Sequence, residues 1–267
     1  MKKWISILVL GILCWGCEDV IDVDLNTAAP RLVIDARLEL LEDASSQNTV
    51  LLTRSSGFFE EDNPLVTDAQ VQVMDGNGVT YPFVYDPANG LYRNANLQIQ
   101  DDLDYTLTIV DQGQTYEATQ QLVRTVPLID IEQQEIEGFG EVTEITAFYE
   151  DPETPGDNYL FVYEDPNNFE VDLREDEFSN GNRSPQSFFI EELEPNTPIT
   201  LKIAGIDAQA FRFFETLLQQ TDAGGGGPFD TQPATVRGNI VNQENREQFP
   251  FGYFRVSQVY QINYLSQ

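Results

Sequence analysis

The chain has 267 residues, with 45 acidic and 14 basic side chains and no histidine. Its formal charge of −31 would repel a phosphate backbone, so nucleic-acid binding is excluded. The lack of histidine also excludes Ser-His-Asp and Cys-His nucleophiles. The two cysteines, Cys14 and Cys17, both lie near the N-terminus, which leaves the rest of the chain without a zinc site of the His/Cys type and without a disulfide framework.

The first residues have the layout of a bacterial secretory signal peptide. Lys2 and Lys3 form a positive segment, an apolar run follows, and a small residue, Gly16, precedes Cys17. The apolar run is shorter than the roughly 20 residues that span a bilayer. We therefore expect 1–16 to be a signal peptide and 17–30 to be a tether.

The end of this leader resembles a lipobox, which implies that Cys17 carries lipid and becomes the first residue of the mature chain. Several acyl chains give a stable membrane anchor. Because the acidic exterior would repel anionic headgroups, we expect contact with the membrane through the lipid alone. The acidic segment Glu18–Asp24 resembles the surface-export signal of Bacteroidota lipoproteins, and an ordinary solvated leader is the alternative. The expected location is the outer membrane, facing the cell surface.

Residues 31–125 have the pattern of an immunoglobulin-like β-sandwich. Short apolar–polar alternating runs, such as Ala69–Met74 and Tyr105–Val110, are separated by turn segments. Asp75–Gly78 is one such turn, because glycine and asparagine accept the positive φ of tight hairpins. The number and spacing of the strands indicate a sandwich architecture.

Val126-Pro127 is the predicted boundary to a second β-rich domain, 126–267, which contains one helix at 208–221. Asp207 is placed to cap this helix, and Phe211, Phe214 and Leu218 recur at helical spacing. We expect this apolar face to pack on the second β-rich domain. The glycines at 224–227 are not followed by the residues of a phosphate-binding loop, so that function is rejected.

Two acidic segments supply oxygen ligands of the kind that calcium prefers. The first contains Asp151, Glu153, Asp157 and Asn158, and the second spans 172–177. Neither has the EF-hand pattern, and solvated loops are the alternative. Calcium is the one cofactor considered, with Asp151, Glu153 and Asp157 as its candidate ligands.

The order of short motifs along the chain resembles the DUF4249 family of Bacteroidota lipoproteins. The motifs that carry the resemblance are Cys17–Asp24, Pro30–Asp35, Val50–Ser55, Ala69–Val73, Gly90–Tyr92, Tyr105–Ile109, Gly113–Ala118, 226–230, 233–240 and Gly252–Phe254. The resemblance implies an outer-membrane lipoprotein associated with a TonB-dependent transporter, and it transfers no catalytic residue.

Three hypotheses about function follow. The first is a non-catalytic accessory or binding subunit of a TonB-dependent nutrient transporter. The second is a glycoside hydrolase, which would need two carboxylates facing each other at about 5 Å or 6.5–9.5 Å. The third is a calcium-stabilised adhesin or structural module.

Overall fold

The computed structural model describes residues 29–57, 63–136, 142–176, 180–221 and 236–267. The signal peptide, Cys17 and most of the tether therefore lie outside the described residues, as do Glu177 and the glycines at 224–227. Within the described ranges, no helix is both long enough and apolar enough to cross a membrane.

The fold is mainly β, as predicted, with fifteen strands and one helix in the described ranges. The strands of the N-terminal part are β1 (Leu32–Leu40), β2 (Ser46–Arg54), β3 (Gln70–Asp75), β4 (Thr80–Asp86), β5 (Leu91–Arg93), β6 (Asp104–Asp111) and β7 (Gln114–Gln121). The remaining elements are β8 (Leu128–Ile136), β9 (Val142–Glu150), β10 (Asn158–Glu164), β11 (Phe169–Glu175), β12 (Arg183–Glu191), β13 (Pro198–Gly205), α1 (Ala208–Thr221), β14 (Val241–Asn242) and β15 (Phe251–Leu265).

The first module is a curled sheet around one apolar core. Its strand order is β15-β1-β2-β5-β4-β3-β6-β7-β14. An isolated parallel bridge from Val123 to Ser257 brings the segment that follows β7 back to β15. Strict alternation in β1 directs Ile34 and Leu38 into the core, where neither is exposed. Burial of one face of every strand fixes the register of the sheet.

The second module is a β-sandwich. The sheet β11-β10-β13-β15 is the continuation of the first sheet, and it faces the three-stranded sheet β12-β9-β8 across a second core. Aromatic rings fill this core, with Tyr149 and Tyr159 in edge contact at 5.2 Å between centroids and Tyr163 completely buried. Offset and edge-on ring contacts add to the stability that burial of their area gives.

Strand β15 joins the two modules. Its 15 residues extend over about 50 Å. Phe254 and Val256 lie in the first core, whereas Tyr260 and Ile262 pack against the second core. Parallel pairing with β1 over Val33–Leu40 and antiparallel pairing with β13 hold the strand along its length.

The residues of the second core all follow the predicted boundary at 125/126, but residues after this boundary also enter the first core. β14 pairs with β7, and the first half of β15 pairs with β1, so the segment 241–258 completes the first module. The alternation of inward and outward side chains within β15 does not predict that this segment pairs with the first module. One face of the strand lines the first core in its first half and the second core in its second half.

Helix α1 has the predicted bounds, and Asp207 caps it by accepting hydrogen bonds from the amides of Gln209 and Ala210 at 2.8 and 2.7 Å. Its most buried face is shifted from the predicted one. Ala210 and Phe213 are buried, while Phe211 and Phe214 are partly buried. The helix lies on β10 and β11 of the second module, as expected, and also contacts Tyr253 of β15, whose ring lies 5.1 Å from that of Phe213.

Strand β11 was not predicted. The sequence around it is acidic and rich in turn residues, which favours a loop. The strand forms because β10 offers a complete antiparallel partner, from Glu164↔Phe169 to Asn158↔Glu175. Tertiary pairing therefore overrides the local preference of the segment.

Candidate functional site

A groove crosses the junction of the two modules on the outer face of the long sheet. It has a volume of about 350 Å³, and we call it the junction groove. Strands β1, β2 and β15 form one side, and β10, β13 and β11 form the other. Its apolar lining consists of Leu41, Leu51, Leu91, Leu160, Val162, Phe169, Ala204 and Val259.

The apolar floor exists because the second-module part of the sheet is apolar on both faces. One face of β10 and β13 lines the aromatic core, and the other face carries Leu160 and Ala204, which belong to a third apolar cluster. Helix α1 packs on this outer face through Phe213. The part of the outer face that lines the groove contacts solvent instead, so Val162 remains partly exposed.

Three ion pairs line the groove beside this floor. Arg37 pairs with Asp35, Arg255 pairs with Glu39, and Lys202 Nζ lies 3.6 Å from an oxygen of Glu164. The cationic and anionic side chains of these pairs balance, in contrast to the strong negative charge of the whole chain. The groove is therefore an almost neutral region on an acidic protein.

The three pairs differ in their exposure to solvent. The side chains of Arg255 and Glu39 are 9% and 17% exposed, whereas those of Arg37 and Asp35 are 45% and 41% exposed. Desolvation opposes the charged form of Arg37, but the hydrogen bond and the charge of Asp35, together with the charge of Glu39, raise the pKa of Arg37. The Arg255–Glu39 pair is the buried centre of the charged lining.

Arg255 has a hydrogen-bond donor that is not used within the described residues. Its Nη2 binds Glu39, but its Nη1 is buried and has no acceptor there. The hydroxyl of Ser257, the next residue on this face of β15, is also buried and unpartnered within the described ranges. Buried donors without partners are rare in native proteins and indicate a missing acceptor.

The groove has an exposed aromatic side chain at its edge. Phe169, at the start of the edge strand β11, is 63% exposed and lines the groove. A comparably exposed ring, Phe189 at 55%, lies on β12 of the opposite sheet. Phe169 is therefore distinguished by its position beside an apolar floor.

The candidate calcium ligands lie elsewhere, at the end of the second module. Asp151 is buried and accepts a hydrogen bond from Tyr159, and Asp157 lies close to it, whereas Glu153 is exposed. Asp176, from the second acidic segment, joins them by accepting bonds from the amides of Gly156 and Asp157 at 2.6 and 3.0 Å.

These loop contacts use the buried carboxylates as turn-stabilising acceptors. Among the described residues, no group of three or more acidic, histidine or cysteine side chains has a geometry that could hold a metal ion. The geometry thus gives the calcium hypothesis no support. The same contacts place Asp151 and Asp176 in a loop cluster, not in the apolar cleft that the glycoside hydrolase hypothesis requires.

We expect Asp157→Asn to stabilise the protein at neutral pH. Burial, Asp151 and Asp176 raise the pKa of Asp157 above 3.8. A raised pKa in the folded state means that ionisation of this carboxyl opposes folding. The gain should be small, below about 1 kcal/mol at pH 7, because solvent screens this partly exposed carboxylate. It should fall as pH is lowered through the folded-state pKa and vanish below the reference value of 3.8.

Urea unfolding of both proteins from pH 3 to pH 7 measures this effect. Glu153→Gln is the matched control, since it removes the same charge from an exposed position in the same loop, and it should change stability much less. A calcium site would reverse the result, because Asp157→Asn would then abolish a calcium-dependent rise in the melting temperature.

The family comparison gives a match to the profile described as "Domain of unknown function (DUF4249)" over residues 18–263. The match covers nearly the whole chain. The chain belongs to the DUF4249 family. No curated protein matches it.

Solved structures similar to this DUF4249 protein include three from the cytokine-receptor and fibronectin groups. A cytokine receptor complex matches with 13% identity and a TM-score of 0.26, covering 66% of this chain and 86% of the other. A two-domain fibronectin type III segment of chicken tenascin matches with 13% identity and a TM-score of 0.22, covering 67% and 91%. The chicken interferon gamma receptor alpha chain matches with 9% identity and a TM-score of 0.23, covering 67% and 90%.

Two motifs of the DUF4249 resemblance contact each other in the structure. A Cβ atom at Gly238 would lie 1.7 Å from the carbonyl oxygen of Gly252, and one at Gly252 would lie 1.9 Å from that of Ile34. Asn239 binds both backbone groups of Phe254, donating to its carbonyl at 2.7 Å and accepting from its amide at 2.9 Å. These motifs hold the returning segment against the first module, so they have a structural role.

Proposed function

We propose that the protein is a lipid-anchored, non-catalytic accessory subunit at the outer-membrane surface, and that it docks to a TonB-dependent transporter through the junction groove. Cys17 is the proposed anchor. The observation that carries the proposal is the groove itself, with its apolar floor and its balanced ion pairs. The family resemblance supplies the class of partner.

The groove has the chemistry of a protein interface. Such interfaces combine an apolar centre with a polar rim and are enriched in aromatic side chains and arginine. Leu160 and Val162 form the apolar centre, and Phe169 and the Arg37–Asp35 pair supply the rim. The partly exposed side chains of Arg37 and Lys202 line the groove and can donate hydrogen bonds to the backbone carbonyls of a docked segment.

The charge balance of the groove also favours a protein partner. Elsewhere the acidic surface attracts cations and basic partners without specificity. In the groove, Lys202 and Arg255 are matched by Glu164 and Glu39, so a neutral segment can approach without like-charge repulsion. Strand β15 fixes the geometry of the groove, because the strands on both sides of the groove are hydrogen-bonded to it: β1 in the first module and β13 in the second.

Co-purification tests the proposal. The full-length protein is extracted from its native membrane in mild detergent, with native lipid, and the proteins that accompany it are identified by mass spectrometry. We expect a β-barrel transporter in the complex, and we expect Phe169→Ser to lower its recovery about tenfold, the effect of removing an aromatic anchor at an interface.

Phe189→Ser is the matched control, because Phe189 is an exposed phenylalanine outside the groove. Its recovery of the transporter should equal that of the wild type. Reproducible purification of the wild type without a transporter would contradict the accessory role. An equal loss in the two variants would contradict docking through the groove.

A further inference from the structure

The basic residues of this acidic protein fall into two groups. Seven of them form ion pairs with nearby carboxylates: Arg37, Arg54, Arg124, Arg174, Arg183, Lys202 and Arg255. In the described ranges, the arginines without an ion pair are Arg31, Arg93, Arg212, Arg237 and Arg246. Within the described residues these five arginines therefore lack a counter-ion, although the chain as a whole has 45 acidic residues.

Two of these unpaired arginines lie against the same aromatic ring. The guanidinium carbon of Arg31 is 4.6 Å from the ring centroid of Phe249, and that of Arg237 is 4.7 Å from it. Arg31 also lies 5.4 Å from the ring of Phe251. We call Arg31, Arg237, Phe249 and Phe251 the arginine cluster.

A third arginine extends the cluster. Arg237 donates to the backbone carbonyl of Arg246 at 3.0 Å, which brings the exposed residue Arg246 to the same surface. The carboxylates of this loop are Glu244 and Glu247. Glu244 accepts a hydrogen bond from the amide of Thr115 at 2.6 Å, and neither forms an ion pair with an arginine of the cluster. Within the described residues, these guanidinium groups lie close together without an ion-paired carboxylate, which is an arrangement that fits an external anion.

The cluster lies where the tether enters the fold. The described chain begins at residue 29, and Arg31 immediately precedes β1. Phe251 is the first residue of β15, so the junction groove lies about 20 Å further along the same strand. Residue 29, where the described chain continues from the tether, therefore lies at the end of the molecule that carries the arginine cluster.

We propose that the arginine cluster contacts the phosphate groups of the bilayer to which the chain is anchored. The inference rests on the lipid anchor of the proposed function and adds a second, electrostatic contact to it. Guanidinium groups bind phosphate through two parallel hydrogen bonds, and phenylalanine side chains favour the boundary between headgroups and acyl chains. The contact sets the molecule at the membrane with β15 directed away from it and the junction groove above the surface.

This proposal differs from the expectation, based on the net charge, that the lipid alone contacts the membrane. The overall charge repels anionic headgroups, but exposed charges separated by more than about 8–10 Å are screened at physiological salt. The arginines of the cluster therefore act on a phosphate group at hydrogen-bond distance, whereas the tether carboxylates of Glu18–Asp24 precede Arg31 by seven or more residues.

The test uses the lipidated full-length protein with a spin label at Gln248→Cys, beside Phe249. It is reconstituted into vesicles of phosphatidylglycerol and, separately, of a neutral galactolipid without phosphate. We expect access of a water-soluble nickel relaxant to the label to be about threefold lower on phosphatidylglycerol, and we expect this difference to vanish near 1 M salt, where the screening length is about 3 Å.

In the variant Arg31→Gln/Arg237→Gln, the label should lose its protection from the nickel relaxant on phosphatidylglycerol. The melting temperature of this variant should stay within a few degrees of the wild-type value. Arg93→Gln/Arg212→Gln is the matched control, because it removes the same charge from arginines outside the cluster, and it should keep the protection. Equal accessibility on the two lipids, or protection that survives Arg31→Gln/Arg237→Gln, would overturn the inference. Mass spectrometry of the same samples separates this result from failure of the anchor: an unmodified Cys17 overturns the anchor and the inference together.

Discussion

Gly252→Ala should be strongly destabilising, with a loss of about 4 kcal/mol or more in the free energy of unfolding. A Cβ atom at this position would lie 1.9 Å from the carbonyl oxygen of Ile34, and the residue has φ +102°. Neither β1 nor β15 can move away, since their pairing holds both modules. Chemical denaturation monitored by tyrosine fluorescence measures the loss.

Gly78→Ala is the matched control for this prediction. Gly78 also has a positive φ, +81°, but a Cβ there would have no atom within 4 Å. Its loss should therefore be limited to the backbone term, about 1–2 kcal/mol. If the two variants were equally stable, the close approach of β15 to β1 would be wrong, and with it the return of the C-terminal segment to the first module.

Glu39→Gln should lower the free energy of unfolding by about 2–3 kcal/mol. The substitution keeps the shape of the side chain but leaves the guanidinium of Arg255, 9% exposed, without its counter-ion. A buried charge without a partner costs more than the pair contributes when both charges are present. Urea unfolding at neutral pH measures the change.

The control is Asp35→Asn on the same strand and the same face. Asp35 pairs with Arg37, and both side chains are more than 40% exposed, so the loss should stay below about 1 kcal/mol. Replacement of both Glu39 and Arg255 by methionine should recover most of the stability that Glu39→Gln loses. A double variant less stable than Glu39→Gln would show that the pair itself contributes net stability.

Much of the fold was predictable from the sequence. The period-two run Ala69–Met74 became β3, the turn at 75–78 has the positive φ that its glycine allows at Gly78, and the helix capped by Asp207 has the predicted bounds. These features depend on local patterns and turn chemistry, which act over a few residues. The family also followed from the order of short motifs.

The junction groove could not be predicted in the same way. Its lining comes from Leu51 on β2, Val162 on β10 and Arg255 on β15, which are distant in sequence. The acidic segments gave a stronger local signal, but Asp176 uses its carboxylate to bind the loop of Gly156 and Asp157. A signal for the groove was present only in the two-sided apolar pattern of β10 and β13.

The sequence by itself determined most of the strands, the helix, the acidic surface and the absence of histidine chemistry, because these follow from residue type and local spacing. Only the tertiary structure decided which arginines have counter-ions and where β15 lies. Both depend on contacts between distant parts of the chain. Arg37 on β1 lies opposite Arg255 on β15, near the other end of the chain. Arg31 and Arg237 both contact the ring of Phe249. Such contacts depend on distances in space, which local patterns in the sequence do not encode.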